Sequence, residues 1–373
     1  MNGLIIWAQS DCRSTMGLYR EMQKTAEFPI KVVLWHFEGD GVSSNNRKSV
    51  GFCSNEFNDV EVLKIGEDFS RGLEVVKEHL GWKHLFCVYQ NSKVYRQLAE
   101  EVVLQGDQYG IMSESPCNMK SGIKRFLWWM YVRTVLKYKV RKTVKKADFF
   151  VNFSGDDDYY ARILGWRKEK IIPFGYYPPI LEGSNSVRRI TAREFVVLAT
   201  GVLSRYRGCD VLIRALKILK EKGIDYKAII TQNGELLSFL KAFADRYSLN
   251  VEFAGKVPMS DLIKLYETCS VYVGTGRNEP WGMRLNDALN CGAPLVVSSG
   301  MGGRKLVDDF KCGLVFDNND PQSLAEALIK MISDEQCYKD FAQSAFECSE
   351  KISPSYNAKA LLKIIKSKWI RGL

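Results

Sequence analysis

Histidine is scarce in this chain of 373 residues, at three copies, and its ten cysteines show no metal-ligand spacing. A site built from imidazole and thiolate is therefore not expected. No run of about 18 uncharged apolar residues occurs, which excludes a helix that spans a bilayer. The opening Met1-Asn-Gly-Leu-Ile-Ile-Trp lacks the basic flank and the length of a secretory signal. The expectation is a cytoplasmic chain with reduced thiols, Cys53, Cys87 and Cys209 among them. Acid is also short: 43 Asp and Glu face 53 Lys and Arg, a net charge of +10 that asks for an anionic partner.

What is present is globular. Hydrophobic residues make up 46% and charged ones 26%, and the length suffices for two domains that each bury a core. Leu4 to Ala8, Lys31 to Trp35, His84 to Tyr89, Tyr109 to Ser113 and Phe149 to Phe153 read as strands, with helices between them from Gly17 and from Lys93 to Leu104. Polar, irregular sequence fills Glu38 to Asn58. Such alternation predicts an α/β doubly wound parallel sheet. Polar pairs, Gln90-Asn91 and Glu114-Ser115, follow two of these strands. The three acids of Ser154-Gly-Asp156-Asp157-Asp158 read as the first turn of a helix capped by Ser154 rather than as metal ligands. A linker is expected from Leu181 to about Thr191. Later strands are expected at Phe195, Ala228 and Asn250, and an amphipathic helix from Ser323 to Ile332 follows Asp320-Pro321.

The densest stretch runs from Cys269 to Gly303. Val271 to Val273 is a strand, a loop of Gly, Thr, Arg and Asn follows, and a helix is expected near Pro280 and closed by Gly292 with Pro294. Glu279 sits at the mouth of that helix and Asp287 eight positions on, about 800° around it at ~100° per residue, so both point to similar sides. One reading has them reach two parts of one elongated ligand. The other has Glu279 complement the helix dipole while Asp287 pairs with Arg284.

Glu279-Pro-Trp-Gly282-Met283, then Asp287-Ala-Leu-Asn-Cys-Gly-Ala-Pro-Leu-Val-Val and Gly302-Gly303, resembles the signature of the group-one retaining glycosyltransferases of GT-B fold. The likeness is strong from about Phe195 to Ile332 and looser before it. It implies two Rossmann-like doubly wound domains facing a central cleft: an acceptor-binding domain over 1–180, completed by a C-terminal helix at 355–373, and a donor-binding domain over 191–354. It implies a hexosyltransferase that uses a nucleotide-sugar donor, a lipid-linked or other glycan acceptor and no metal or other cofactor, and does not act on nucleic acid. Glu279 would contact the donor sugar and Asp287 the ribose, although Asp stands one methylene short of the usual Glu. Gly17 would pass beside the diphosphate, Val257 would meet the base, and Gly282 and Met283 complete the donor set. Relatives carry an Arg directly after the glycine at Gly201 and a Lys before that at Gly208; here Val202 and Arg207 stand there, with Arg205 nearby as a substitute cation. Glu279, Arg207 and Glu114 are the catalytic candidates, and backbone near Gly302-Gly303 is a candidate for the leaving diphosphate. A non-catalytic, membrane-associated nucleotide-sugar sensor and an epimerase or phosphorylase of the same fold are the alternatives.

The charge excess is local. Lys120 to Lys146 contains ten Lys or Arg and no acid, which leaves the rest of the chain at 43 basic against 43 acidic. Lys124, Arg125, Trp128, Trp129, Arg133, Lys137, Lys139, Arg141 and Lys142 combine aromatics with bases in the manner of a helix lying on an anionic membrane surface. That predicts a peripheral protein on the inner face of the membrane. The alternative is a crossover helix whose Leu127, Met130 and Tyr131 pack on the sheet while its lysines are solvated.

Overall fold

Leu4, Ile5, Ile6, Trp7 and Ala8 are all buried, as residues of a central parallel strand covered on both faces must be. In the computed structural model they begin β1 (Leu4–Ser10). The structure describes residues 1–10, 12–36, 57–66, 68–87, 92–115, 123–181 and 194–370. The chain divides into two units, Met1–Pro179 with Ser353–Leu373, and Ile180–Ile352. Gln90, Asn91, most of the irregular 38–58 stretch and the expected linker lie outside the described residues, as does the side chain of Arg125.

In the first unit, β1 is followed by α1 (Arg13–Thr25), β2 (Ile30–His36), β3 (Val62–Lys64), α2 (Phe69–Glu78), β4 (Lys83–Cys87), α3 (Lys93–Leu104) and β5 (Tyr109–Ser113). Then come α4 (Ile123–Tyr131), a π-helical turn (Val132–Leu136), α5 (Lys137–Lys146), β6 (Phe150–Asn152), α6 (Tyr159–Ile163) and β7 (Ile171–Pro173). The strands are parallel in the order β3-β2-β1-β4-β5-β6-β7. Asp68 and Ser92 cap α2 and α3 through their side-chain oxygens.

Three expectations in this unit are corrected. The helix after β1 starts at Arg13, not Gly17, because Cys12 is the last extended residue. Gly17 lies one turn inside, where a Cβ would come within 2.7 Å of Pro179 Cγ, so its missing side chain serves close packing. Ser154 caps no helix of Asp156 to Asp158: its hydroxyl accepts from the amide of Ser115, and α6 begins only at Tyr159. Finally, Leu127 and Met130 do not pack on the sheet, being 59% and 42% exposed. The buried stripe runs through Val132, Leu136, Val140 and Val144. Met130 precedes Val132 by two residues, about 200° around a helix, and so faces away from the core.

In the second unit the order is β8 (Val196–Ala199), α7 (Cys209–Glu221), β9 (Lys227–Thr231), α8 (Leu237–Arg246), β10 (Val251–Gly255), α9 (Met259–Thr268), β11 (Val271–Gly274), α10 (Arg284–Asn290), β12 (Leu295–Ser298), α11 (Arg304–Phe310), β13 (Gly313–Phe316), α12 (Pro321–Ser333) and α13 (Glu335–Glu347). Its parallel sheet runs β10-β9-β8-β11-β12-β13, so the winding reverses between β8 and β11. Asp320 caps α12 through the amides of Gln322 and Ser323. The last helix, α14 (Pro354–Ile370), belongs to the first unit. There Trp369 donates to Asp148 at 2.9 Å and Lys366 pairs with Glu27 at 2.7 Å.

Candidate functional site

The crevice outside the carboxyl ends of two strands that part at a winding reversal is where an open α/β sheet leaves room for a ligand. In the second unit that place is beyond Ala199 of β8 and Gly274 of β11, and a cavity opens there. Thr200, Gly201, Arg207, Tyr272, Thr275, Gly276, Glu279, Gly282 and Arg284 are among its lining residues. It thus brings together Glu279, Arg207 and Gly282 of the expected set.

Glu279 is not held by a helix. The helix expected near Pro280 begins four residues later at Arg284, and Glu279 forms an isolated parallel bridge with Met301. Its amide donates to Gly300 O at 3.1 Å, and its carbonyl accepts from the amide of Gly302 at 2.9 Å. Glu279 and Asp287 therefore do not share one helix, contrary to the expected placement about two turns apart, because the backbone from Glu279 to Gly282 is not helical. The same bonds correct the role given to Gly302-Gly303, since the amide of Gly303 donates to Trp281 O at 3.0 Å and both amides are spent on this loop. Trp281 anchors the loop: it is fully buried, and its Nε1 donates to Asn286 Oδ1 at 2.8 Å. Gly282 follows at φ +96°, where a Cβ would lie 2.3 Å from Met301 Cε. A side chain there is excluded by both conformation and space.

Arg207 meets Glu279 in an ion pair inside the cavity. Burial alone would lower the Arg207 pKa, but Glu279 holds it above its ordinary value. The turn that carries Arg207 ends at Gly208, whose φ of +68° starts α7. A Cβ on Gly208 would come within 2.0 Å of Thr275 O, so the two loops touch through backbone. Thr275 Oγ1 also donates to Arg207 O at 2.6 Å. Above them Arg277 forks onto both carboxylate oxygens of Asp210 at 2.8 and 2.7 Å, and its amide donates to Tyr206 O at 3.1 Å.

Asp287 is buried in the first turn of α10 and lies 3.7 Å from Arg284, the pairing that the sequence allowed. Arg284 itself lines the cavity, which the sequence did not suggest. Burial works to lower its pKa, but Tyr266, Asp287 and Tyr272 together raise it. The hydroxyls of Tyr266 and Tyr272 each share a hydrogen bond of 3.2 Å with Thr200 Oγ1. Burial pushes Tyr272 up to about 12 and Cys209 up to about 11, so the Cys209 thiol is no nucleophile at neutral pH.

The other candidates lie apart from the cavity lining. Arg205 is exposed, and its carbonyl accepts from the Arg277 guanidinium. Val257 follows β10 and Met283 immediately precedes α10, both half-buried. Val202 is 55% exposed and thus no core residue. Gly17 and Glu114 belong to the other unit. Glu114 Oε1 accepts from Tyr176 at 3.0 Å, and Ser115 is tied to Asn152 at 3.1 Å. Among the described residues no group of three or more His, Cys, Asp or Glu is placed to hold a metal.

Of the expected membrane-facing set, Lys124, Arg133, Lys137, Lys139, Arg141 and Lys142 are exposed. Trp128 is a correction, since it packs against the core beside Tyr131. Trp129 is half-buried beneath the Arg133 guanidinium, 4.5 Å from its ring centre, and donates to Tyr159 at 3.1 Å. Ile123 at 75% and Phe126 at 58% exposure complete an apolar face among the bases.

The family described as Glycosyl transferases group 1 matches residues 185–347. An uncharacterized glycosyltransferase of Methanocaldococcus jannaschii is 27% identical over 266 residues, which cover 66% of this chain and 64% of the relative. The chain spans between 43% and 64% of the length of the first curated relatives it matches. Among solved structures, Anabaena Alr3699/HepE in complex with UDP and glucose aligns with a TM-score of 0.68 at 16% identity, over 98% of this chain and 100% of that one. The lipopolysaccharide outer core galactosyltransferase WaaB aligns with a TM-score of 0.70 at 12% identity, over 99% and 100%.

Proposed function

We propose that this chain transfers a hexose from a nucleotide sugar to a hydroxyl, with retention of anomeric configuration; the match of residues 185–347 to the group 1 glycosyl transferases and the GT-B fold of the two units support the reading. The observation that carries the reading is the placement of Arg207 and Glu279 together in the cavity at the winding reversal of the donor unit. Departure of a nucleoside diphosphate from an anomeric carbon leaves an oxocarbenium-like centre and a growing negative charge on the diphosphate. A fixed cation at that charge stabilises the transition state more than the ground state. Arg207 serves there and Glu279 holds the sugar's hydroxyls. The departing phosphate takes the acceptor's proton, so no carboxylate is asked to act as a covalent nucleophile, and the reaction should persist in a chelator.

The acceptor is a lipid-linked glycan of cell-surface polysaccharide synthesis, met at an anionic membrane on the cytoplasmic side. Support comes from the α4–α5 segment, where exposed Ile123, Phe126 and Leu127 adjoin exposed Lys124, Arg133 and Lys137. No helix of the described residues is long and apolar enough to cross a membrane. Each base near an anionic leaflet contributes about 1 kcal/mol, so four or five hold the protein reversibly. Co-sedimentation should require anionic lipid, weaken with salt, and fail when Lys137, Lys139, Arg141 and Lys142 become Gln.

Donor turnover without acceptor tests the catalytic reading. Slow release of nucleoside diphosphate from one of the UDP-, GDP- or ADP-sugars supports a transferase. Binding without turnover under any acceptor supports a nucleotide-sugar sensor instead.

A further inference from the structure

We propose that Arg284 supplies the second cation for the donor's diphosphate, and that donor entry exchanges the partners of two ion pairs, Arg207–Glu279 and Arg284–Asp287. The inference rests on the donor reading above. Its starting point is a charge balance. The diphosphate of a nucleotide sugar carries two negative charges, and the only cations among the described lining residues are Arg207 and Arg284. Each is held by a carboxylate, Arg207 by Glu279 and Arg284 by Asp287 at 3.7 Å. Two closed pairs are neutral in sum and offer a dianion no net attraction.

Opening both pairs changes what the cavity presents. The two guanidiniums turn to phosphate oxygens, and the two carboxylates are released to accept from sugar and ribose hydroxyls. Each charge keeps a partner throughout, so no buried charge is stranded. The Arg284–Asp287 pair is the easier to open, since 3.7 Å is beyond good hydrogen-bond distance. Arg284 is also steered by its neighbours: Tyr272 and Thr200 line the same cavity, and Tyr266 joins them through Thr200. The loop that follows β8 offers no alternative charge, because Val202 is apolar and the Arg205 side chain is not in the lining. Asp287 also explains why the acid at this position stands on the same helical turn as the arginine: three residues apart, each keeps the other oriented.

Calorimetric titrations of the full chain with UDP, GDP and ADP, and with uridine, guanosine and adenosine, test the proposal. For whichever diphosphate binds, Arg284→Met and Arg284→Gln should each weaken it about tenfold or more, the worth of one charge-assisted hydrogen bond. The matching nucleoside should bind all three proteins alike, and Val202→Arg should restore part of the loss. Equal diphosphate affinity in wild type and both variants overturns the proposal, as does an equal loss of nucleoside and diphosphate. Should neither variant fold, Arg207→Gln decides the matter. It should still bind the diphosphate more tightly than the nucleoside, with a preference that falls with salt, whereas no remaining preference overturns the proposal. If no diphosphate binds wild type, the donor reading itself has failed, which is a separate outcome.

Discussion

Arg277 and Asp210 hold together the two loops on which the site depends, and removing the guanidinium should be costly. Arg277 stands two residues before Glu279, and Asp210 three after Arg207. Their fork is bidentate at 2.8 and 2.7 Å, while Arg277 Nε donates to Asn319 at 2.8 Å. The side chains are 22% and 23% exposed. Breaking a fully buried pair costs roughly 3–5 kcal/mol and losing an exposed one about 0–1, so Arg277→Met should cost about 2–3 kcal/mol. Hydrogen exchange on the amides of β8 and β11 measures this in the whole protein, without assuming that both units unfold together. Asp210→Asn should cost less, and the double variant should fall short of the sum by at least about 1 kcal/mol. Turnover should drop in Arg277→Met, because Arg207 and Glu279 lose a shared frame. Additive effects, or a loss below about 0.5 kcal/mol, would refute the claim that this fork is a structural tie.

Three further outcomes follow from single residues. Glu279→Gln should abolish transfer while nucleoside diphosphate still binds, whereas Asp287→Asn should chiefly raise the donor KM; steady-state kinetics with calorimetry separates them. Gly208→Ala should lower the unfolding temperature of the second unit steeply, since its Cβ would meet Thr275 O, while Gly223→Ala, also at positive φ but in open space, should cost only about 1–2 kcal/mol. His84 is buried, and burial first, then His79 and Lys83, push its pKa down to about 3. Above the ordinary value of about 6.5 it is neutral folded or unfolded; below it the unfolded chain gains a proton that the fold refuses. Urea titrations from pH 7 to 5 should thus show stability falling by up to about 1.4 kcal/mol per pH unit, and His84→Phe should flatten part of that slope.

Much of this was readable in the order of residues. Most strands of both sheets announce themselves as short apolar runs, and Asp320 marks a helix start by a side chain that caps locally, whereas β3 and β13 at the sheet edges were not foreseen. Glu279, Gly282 and Asp287 stand out through the resemblance to the group-one signature, since spacing alone left the pairing of Asp287 with Arg284 open. What escaped depends on distant partners. Pro280 looks like a helix start, but the backbone there is set by the bridge from Glu279 to Met301, which no local pattern encodes. Gly17 resembles a phosphate-loop glycine, yet Pro179, far along the chain, decides its packing. Arg284 was visible only as the partner of Asp287, because whether a side chain also reaches a cavity depends on Thr200 and Tyr272 from other strands. In α4, the sequence distinguished an apolar cluster from a basic one but not which apolar residues turn inward.

Everything proposed for the site requires a nucleotide sugar to bind in the second unit between the ends of β8 and β11. Hydrogen exchange with and without UDP-, GDP- and ADP-sugars, each at the same high concentration, tests this. One of them should stabilise the protein, by about 2.7 kcal/mol where that concentration is about 100 times its dissociation constant, and slow exchange in Gly201–Gly208 and Thr275–Gly282. Stabilisation by none of the three, or protection that leaves both segments unchanged, would contradict the account.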